Sequence, residues 1–195
     1  MGRYRPPAIK GSPYITPEGM HALEEELDFL WNTRRPLVVQ ALSAAAAEGD
    51  RSENAEYIYR KKELGEIDRR VRFLSKRVDE LKVVTETPKD TEQIFFGAWV
   101  ELENDEGKLI QYRLVGPDEF NAEKGFISMD SPVAKTLMKK HKGDEVSIET
   151  PGGILNYYIN RVQYQSFLLH SVAPAFKLRS FSRTTIQIAT HKPIR

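Results

Sequence analysis

Cysteine is absent from the 195 residues. That excludes disulfide staples, thiolate metal sites and thiol nucleophiles together, and it fits a reducing compartment. Long apolar runs are missing too: no stretch approaches the roughly 18 residues that a membrane-spanning helix needs, so no membrane partner is expected. The basic segment Met1 to Pro13 carries no apolar core and does not read as a secretory signal. Histidines are few, and the four present (His21, His141, His170, His191) have no metal-ligand spacing. Neither a Gly-rich phosphate loop nor a nucleophile elbow occurs. With 29% charged and 40% hydrophobic residues, the composition is that of a soluble globular chain, and the expected location is cytoplasmic.

An excess of charge is also lacking, since 29 basic residues face 28 acidic ones for a net of +1. The distribution is uneven. Residues 1–15 hold Arg3, Arg5 and Lys10 and no acid, and residues 166–195 hold Lys177, Arg179, Arg183, Lys192 and Arg195 and no acid. Setting these eight aside leaves 21 basic against 28 acidic residues between 16 and 165, a net of −7. Bulk attraction to nucleic acid is therefore not a property of the central region; any contact must come from local clusters or the tails.

What is present first is a helical pattern. Thr16 is a good N-cap, Pro17 suits the first helical position and Glu18 complements the helix dipole. Met20, Leu23, Leu27, Leu30, Leu37, Ala41 and Ala44 fall on the a and d positions of a heptad, with Arg34 intruding. A second stretch places Tyr57, Leu64, Val71 and Val78 at a and Ile67, Leu74 and Leu81 at d, with Arg60 intruding. Two matching seams predict an antiparallel coiled-coil hairpin, each arm about 45 Å long at 1.5 Å per residue. Pro36 should bend the first arm or interrupt one hydrogen bond. The expected register brings Arg34 near Asp68.

The turn between the arms, Glu48-Gly49-Asp50-Arg51-Ser52-Glu53-Asn54, gathers acids at the far end of a long rod. Gly49 is suited to ending the first helix. One reading is structural, with Asp50 as N-cap and Glu53 at N3 of a capping box. The other is functional. Magnesium usually draws one or two carboxylates from a protein and completes its octahedron with water and phosphate oxygens. A carboxylate pair at a tip thus makes chemical sense where another molecule supplies the remaining ligands, and the two readings can coexist.

The second arm is basic, with nine basic against six acidic residues between 56 and 82. Lys62, Arg69 and Lys76 fall at the outward f position, flanked by Arg72 at b and by Arg70 and Arg77 at g. Such a stripe suits a phosphate backbone, and it is equally the pattern of a solvated face laced with i,i+4 pairs such as Asp68 to Arg72.

Heptads break near Thr85–Gln93. Strands are expected over Ile94–Leu102, Leu109–Val115, Gly125–Met129, Glu145–Glu149 and Leu155–Tyr164, with turns at Asn104–Gly107 and Thr150–Gly153. Ser131 as N-cap and Pro132 at N1 open a helix running to about Lys140. The expected fold class is α+β: an N-terminal antiparallel helical hairpin followed by a small, mainly antiparallel sheet with one packed helix. The corresponding divisions are a basic arm at 1–13, the hairpin at 14–85 with its acidic tip at 48–56, a linker at 86–93, the sheet domain at 94–165 and a basic extension at 166–195.

Four stretches in this order, GDRSENAEY (Gly49–Tyr57), EIDRRVRFL (Glu66–Leu74), FFGAWVELEND (Phe95–Asp105) and ISMDSPVA (Ile127–Ala134), resemble the bacterial transcript cleavage factors of the GreA/GreB family, and the GreB type more than the GreA type. The resemblance covers residues 14–165. It implies an FKBP-like second domain that docks on the rim of RNA polymerase's secondary channel through Asp130, Ser131 and Pro132. It also implies a coiled coil reaching down that channel. Asp50 and Glu53 would be the catalytic tip acids, helping to hold a second Mg2+ ion beside the one the polymerase holds. Arg60, Lys61, Lys62, Arg69, Arg72 and Lys76 would face the nascent RNA 3′ end, extruded when polymerase backtracks. On this expectation the chain is a monomeric accessory factor that activates the polymerase's own RNase activity. Two alternatives stay open: a channel-binding regulator without cleavage activity, and a peptidyl-prolyl isomerase, which would need an apolar aromatic pocket and no acidic probe.

Overall fold

In the computed structural model, residues 11–48, 53–150 and 153–164 are described. The first helix, α1 (Pro17–Asp28), starts where the sequence places it: Thr16 has extended backbone angles and its hydroxyl accepts the Gly19 N–H at 3.1 Å. A wide π turn follows over Phe29–Arg34, in which the Arg35 N–H reaches back five residues to the Leu30 carbonyl, and α2 (Arg35–Ala47) continues the arm. The return arm is α3 (Ala55–Glu80).

The π turn changes the seam. A regular helix would drive the Pro36 ring into the carbonyl four residues earlier, and a turn widened by one residue just before it relieves that conflict. The extra residue advances the inward face by one position. Val38 and Ala45 are buried, whereas Leu37 and Ala44, the expected seam residues, are exposed. The same slip moves the ion pair: Arg35, not Arg34, bonds Asp68, at 2.9 Å, and Arg34 pairs instead with Glu63. On α3, where no widened turn shifts the heptads, Ile67, Val71 and Leu74 are buried as the pattern requires.

Two short strands close the base of the hairpin. β1 (Tyr14–Ile15) runs parallel to β2 (Lys82–Val83), with Tyr14 opposite Lys82 and Ile15 opposite Val83. Ile15 and Leu74 are fully buried there, with Leu23, Met20 and Val78 packed around them. Residues 11–13, expected to belong to a basic arm, are part of this base: the Pro13 carbonyl accepts the Lys82 N–H at 2.7 Å.

The second unit is a five-stranded sheet in the order β5-β4-β3-β7-β6, built from β3 (Trp99–Asn104), β4 (Leu109–Val115), β5 (Phe126–Ser128), β6 (Glu145–Thr150) and β7 (Gly153–Gln163). It is mixed rather than wholly antiparallel, because β5 lies parallel to β4. The first strand starts later than expected: Gly97 adopts φ 84° in a turn, so Ile94 leaves the sheet and bonds the Lys139 and Lys140 backbone instead. Alternation then places Val100, Leu102, Val146, Ile148 and Ile159 on one buried face, against Ala134 and Leu137 of α4 (Pro132–Leu137). That helix ends before the expected Lys140, where Lys139 turns the chain with φ 67°.

Polar contacts join hairpin and sheet. The Thr16 N–H donates to Glu119 at 3.0 Å and the Thr16 hydroxyl donates to the same carboxylate, which also accepts the Gly116 N–H at 3.0 Å. Arg77 reaches from α3 to Asp118 at 2.8 Å and to the Ser12 carbonyl at 2.8 Å. Arg113, buried against the Trp99 and Phe126 rings, extends to Glu18 at 3.5 Å. Gly116 is required here, since a Cβ would collide with the Tyr14 carbonyl oxygen.

Candidate functional site

The tip of the hairpin is organised by Asn54. Its side-chain oxygen accepts the Tyr57 N–H at 3.0 Å, which makes it the N-cap of α3, and its amide donates to the Ala45 carbonyl at 2.8 Å across the turn. This corrects the expected capping box: the helix starts at Ala55, so Glu53 precedes the cap instead of standing at N3. Asn54 prevails because one amide group can satisfy an orphan donor on α3 and add a second bond to a carbonyl in the last turn of α2 together. Glu53 is exposed and Glu56 lies in the first helical turn, where the dipole favours an acid. Asp50, with Gly49, Arg51 and Ser52, lies outside the described residues.

Below the tip, the cations divide into two groups. Arg60 is turned onto the hairpin itself, bonding Glu56 at 2.7 Å and Glu63 at 3.0 Å. Those two hydrogen bonds raise its pKa further. Burial would raise the Glu63 carboxyl, but hydrogen bonds from Arg60 and Arg34 hold it below its ordinary value. Arg60 thus belongs to a cross-arm network with Arg34 and Glu63. Arg70 is engaged likewise, donating two hydrogen bonds to Glu26 at 2.7 and 2.6 Å, which outweigh partial burial and lower the Glu26 pKa.

Lys61, Lys62, Arg69, Arg72 and Lys76 are all exposed. Lys61 lies 5.9 Å from the Tyr57 ring centroid, and the expected Asp68–Arg72 pair reduces to a long 3.4 Å contact with the Asp68 carbonyl. Lys62, Arg69 and Lys76 make no ion pair with a described residue, so the face at f keeps its charge for solvent or a partner.

The segment Asp130-Ser131-Pro132 stands at the start of α4. Ser131 caps it by accepting the Ala134 N–H at 3.1 Å, and Pro132 occupies N1, both as the residue types require. Asp130 has a further task that its sequence context does not reveal. It accepts the Ser12 N–H at 2.7 Å and the Ser12 hydroxyl as well, and these bonds, the hydroxyl's first, lower its pKa. Asp130 therefore clasps the chain just ahead of the hairpin, 118 residues away in sequence.

Among the described residues, no three His, Cys, Asp or Glu side chains gather into a group that could hold a metal ion, and no helix is long and apolar enough to cross a membrane. Sequence reasoning missed Thr16–Glu119, Arg113–Glu18 and Asp130–Ser12. Each joins residues about a hundred positions apart, and no local pattern announces such a pairing.

The geometry defines a class: a chain that carries exposed acids at the end of a helical rod, with a sheet domain clasped to the opposite end. Comparison with known proteins makes the class specific. The family described as "Transcription elongation factor, N-terminal" (GreA/GreB) matches residues 13–83, and "Transcription elongation factor, GreA/GreB, C-term" matches residues 88–164. The chain is 58% identical over 167 residues to the transcription elongation factor GreB of Xanthomonas axonopodis pv. citri (strain 306), covering 85% of this chain and 99% of that one. It is also 58% identical over 154 residues to GreB of Haemophilus influenzae (strain ATCC 51907 / DSM 11121 / KW20 / Rd), covering 79% and 98%. Among solved structures, it is similar to GreA factor homolog 1 of Thermus thermophilus, at 24% identity and TM-score 0.35 over 77% of this chain and 97% of that one. An overlay on GreA/GreB from Nitrosomonas europaea has 19% identity and TM-score 0.37 over 78% of this chain and 100% of that one; neither overlay adds to the family match. The chain belongs to the GreA/GreB family of transcription elongation factors and is of the GreB type.

Proposed function

We propose that the protein binds RNA polymerase, inserts its hairpin through the secondary channel and stimulates endonucleolytic cleavage of the nascent RNA 3′ end in backtracked complexes. Arrested polymerase would then resume from a new, correctly placed end. The observation that carries this reading is the capping of α3 by Asn54, which leaves the Glu53 carboxylate exposed at the tip and unspent on helix capping.

Asp50 and Glu53 are the catalytic tip acids in this reading. Two carboxylates suit a shared Mg2+, whose remaining ligands come from the polymerase and the RNA. When bound, such an ion supplies an activated water and charge neutralisation at the scissile phosphate. The chain's part is to deliver and orient carboxylate oxygens; it is an accessory factor, not an enzyme by itself. Lys62, Arg69, Arg72 and Lys76 lie along the extruded RNA, with Lys61 at their tip end. Arg60 steadies the arms through Glu56 and Glu63. Asp130, Ser131 and Pro132 contact the channel rim, and the protein acts as a monomer in the cytoplasm.

A cleft of about 300 Å³ on the sheet domain includes Glu103, Asp105, Glu145, Asn156 and Asn160 beside Tyr157 and Tyr158. Its carboxylates and amides differ from the apolar pocket an isomerase needs, so this cleft lends that alternative no support.

The test is to add the protein to a stalled, backtracked polymerase with Mg2+ and follow 3′-labelled RNA. Release of short 3′ fragments followed by renewed extension is expected. Binding without fragment release would favour a channel regulator without cleavage activity.

A further inference from the structure

The basic face of α3 carries an aromatic component that phosphate contacts alone do not explain. Tyr59 and Phe73 are large apolar side chains left 57% and 49% exposed on the rod. Each is fixed by an arginine. The Arg60 guanidinium lies 5.3 Å from the Tyr59 centroid and is itself held by Glu56 and Glu63. The Arg70 guanidinium lies 5.4 Å from the Phe73 centroid and is anchored by two bonds to Glu26 on α1. A cation at this distance is attracted to the ring face. Because each arginine is tied down, the ring it touches is held on the surface instead of folding away.

The positions of these rings are informative. With Tyr57 at a, Tyr59 and Phe73 occupy c, beside the f positions of Lys62, Arg69 and Lys76. Tyr59 and Lys62, and Phe73 and Lys76, are i,i+3 neighbours, while Arg69 and Phe73 are i,i+4 neighbours, so rings and cations adjoin along one face. Glu66 at c interrupts the row once. The two rings are about 21 Å apart along the helix.

This alternation favours one class of partner. Single-stranded nucleic acid places phosphates on cations and stacks base faces on exposed rings, without sequence preference. A protein wall burying the same rings would also have to desolvate Lys62 and Lys76, and lysine is depleted in protein interfaces. We infer that α3 is a stacking track, on which bases of extruded single-stranded RNA stack against Tyr59 and Phe73 while the phosphates follow Lys62, Arg69, Arg72 and Lys76. The inference rests on the proposed role of the basic face in holding extruded RNA, and it adds base stacking to that role.

A built-in control exists. Trp31 is also exposed, with the Arg35 guanidinium 5.1 Å from its ring and Arg35 tied to Asp68. Asp68 is at e and Arg70 at g, so this third ring lies on the other flank of the seam, away from the c–f row.

The experiment uses the full chain with backtracked polymerase whose extruded RNA carries 2-aminopurine, a base whose fluorescence falls on stacking. Wild type should quench it. Tyr59→Leu with Phe73→Leu should lose the quench, with affinity for the extruded strand falling roughly fivefold or more per ring; Tyr59→Phe with Phe73→Tyr should retain it, and Trp31→Leu should leave it unchanged. Absence of quenching by wild type, or equal quenching by the double leucine variant, would overturn the track. Loss of the quench by a leucine variant that also fails to co-sediment with polymerase would overturn it as well, and would assign the rings to a protein contact. Quenching by a wild-type protein that releases no RNA fragment would contradict the cleavage function while leaving the track standing.

Discussion

Asn54 bonds across the hairpin turn to Ala45, its amide 2.8 Å from that carbonyl, while the same side chain caps α3 through the Tyr57 N–H. One residue thereby fixes both where the second arm starts and how far it stands from the first. Replacing it with alanine should cost about 1 kcal/mol for the cap and about 1 kcal/mol more for the lost cross-arm hydrogen bond. Asn54→Asp should recover the cap alone. Hydrogen exchange at the Tyr57 amide reads this directly: protection should fall most in Asn54→Ala, and equal protection in all three proteins would contradict the cap.

The slipped seam makes a prediction opposite to the unbroken heptad. Val38→Ala, at a buried position, should destabilise by about 1–3 kcal/mol. Leu37→Ala, at an exposed one, should stay within about 0.5 kcal/mol. Denaturant unfolding of the two variants decides the register, and a larger loss from Leu37→Ala would restore the uninterrupted seam.

These two cases show what the residue pattern conveys. The seam of α3 is legible because Leu64 to Leu81 never departs from the heptad, and the first arm is legible up to Leu30. Beyond that point a single widened turn ahead of Pro36 shifts every later position, and the residue types from Phe29 to Arg34 do not encode which turn absorbs the proline. The tip acids are legible as chemistry. The freedom of Glu53 is not, since Glu53 and Asn54 both belong to types that take part in helix caps, and only the bonds of Asn54 to Tyr57 and Ala45 separate them. The clasp between domains is tertiary: Glu119 looks like one more surface acid until Thr16 is brought to it from 103 residues away.

Acid should loosen the Asp130 clasp in a defined direction. The Ser12 hydrogen bonds hold the Asp130 pKa below its ordinary value of 3.8. Since the folded value is the lower one, this contact contributes fully above the ordinary carboxylate range and is lost as pH falls through the folded value. Carboxyl NMR titration should give a midpoint below 3.8 in the wild type, and Ser12→Ala should move it upward. An unmoved midpoint would separate Asp130 from Ser12 in solution.

That clasp also governs how docking is tested. Asp130→Ala with Pro132→Ala should reduce polymerase co-purification, while Ser12→Ala, which removes a hydroxyl bond but leaves the proposed docking residues in place, should reduce it far less. Equal losses would mean that Asp130 acts through the clasp and not at the rim.

Charge reversal separates the two groups of cations. Arg69→Glu with Lys76→Glu should weaken cleavage of long extruded RNA and leave docking intact. Arg60→Ala should lower hairpin stability while sparing RNA contact, because Arg60 is committed to Glu56 and Glu63. A fragment-length distribution unchanged by the double reversal would remove the basic face from the account.

The most direct measurement compares wild type with Asp50→Asn plus Glu53→Gln in a stalled, backtracked polymerase complex with Mg2+. The substitutions are isosteric and remove the charge of these two side chains, and Asn54 remains to cap α3. Both proteins should bind, and only wild type should release 3′ RNA fragments. Equal cleavage by the two would contradict this, because the tip carboxylates would then have no part in the reaction.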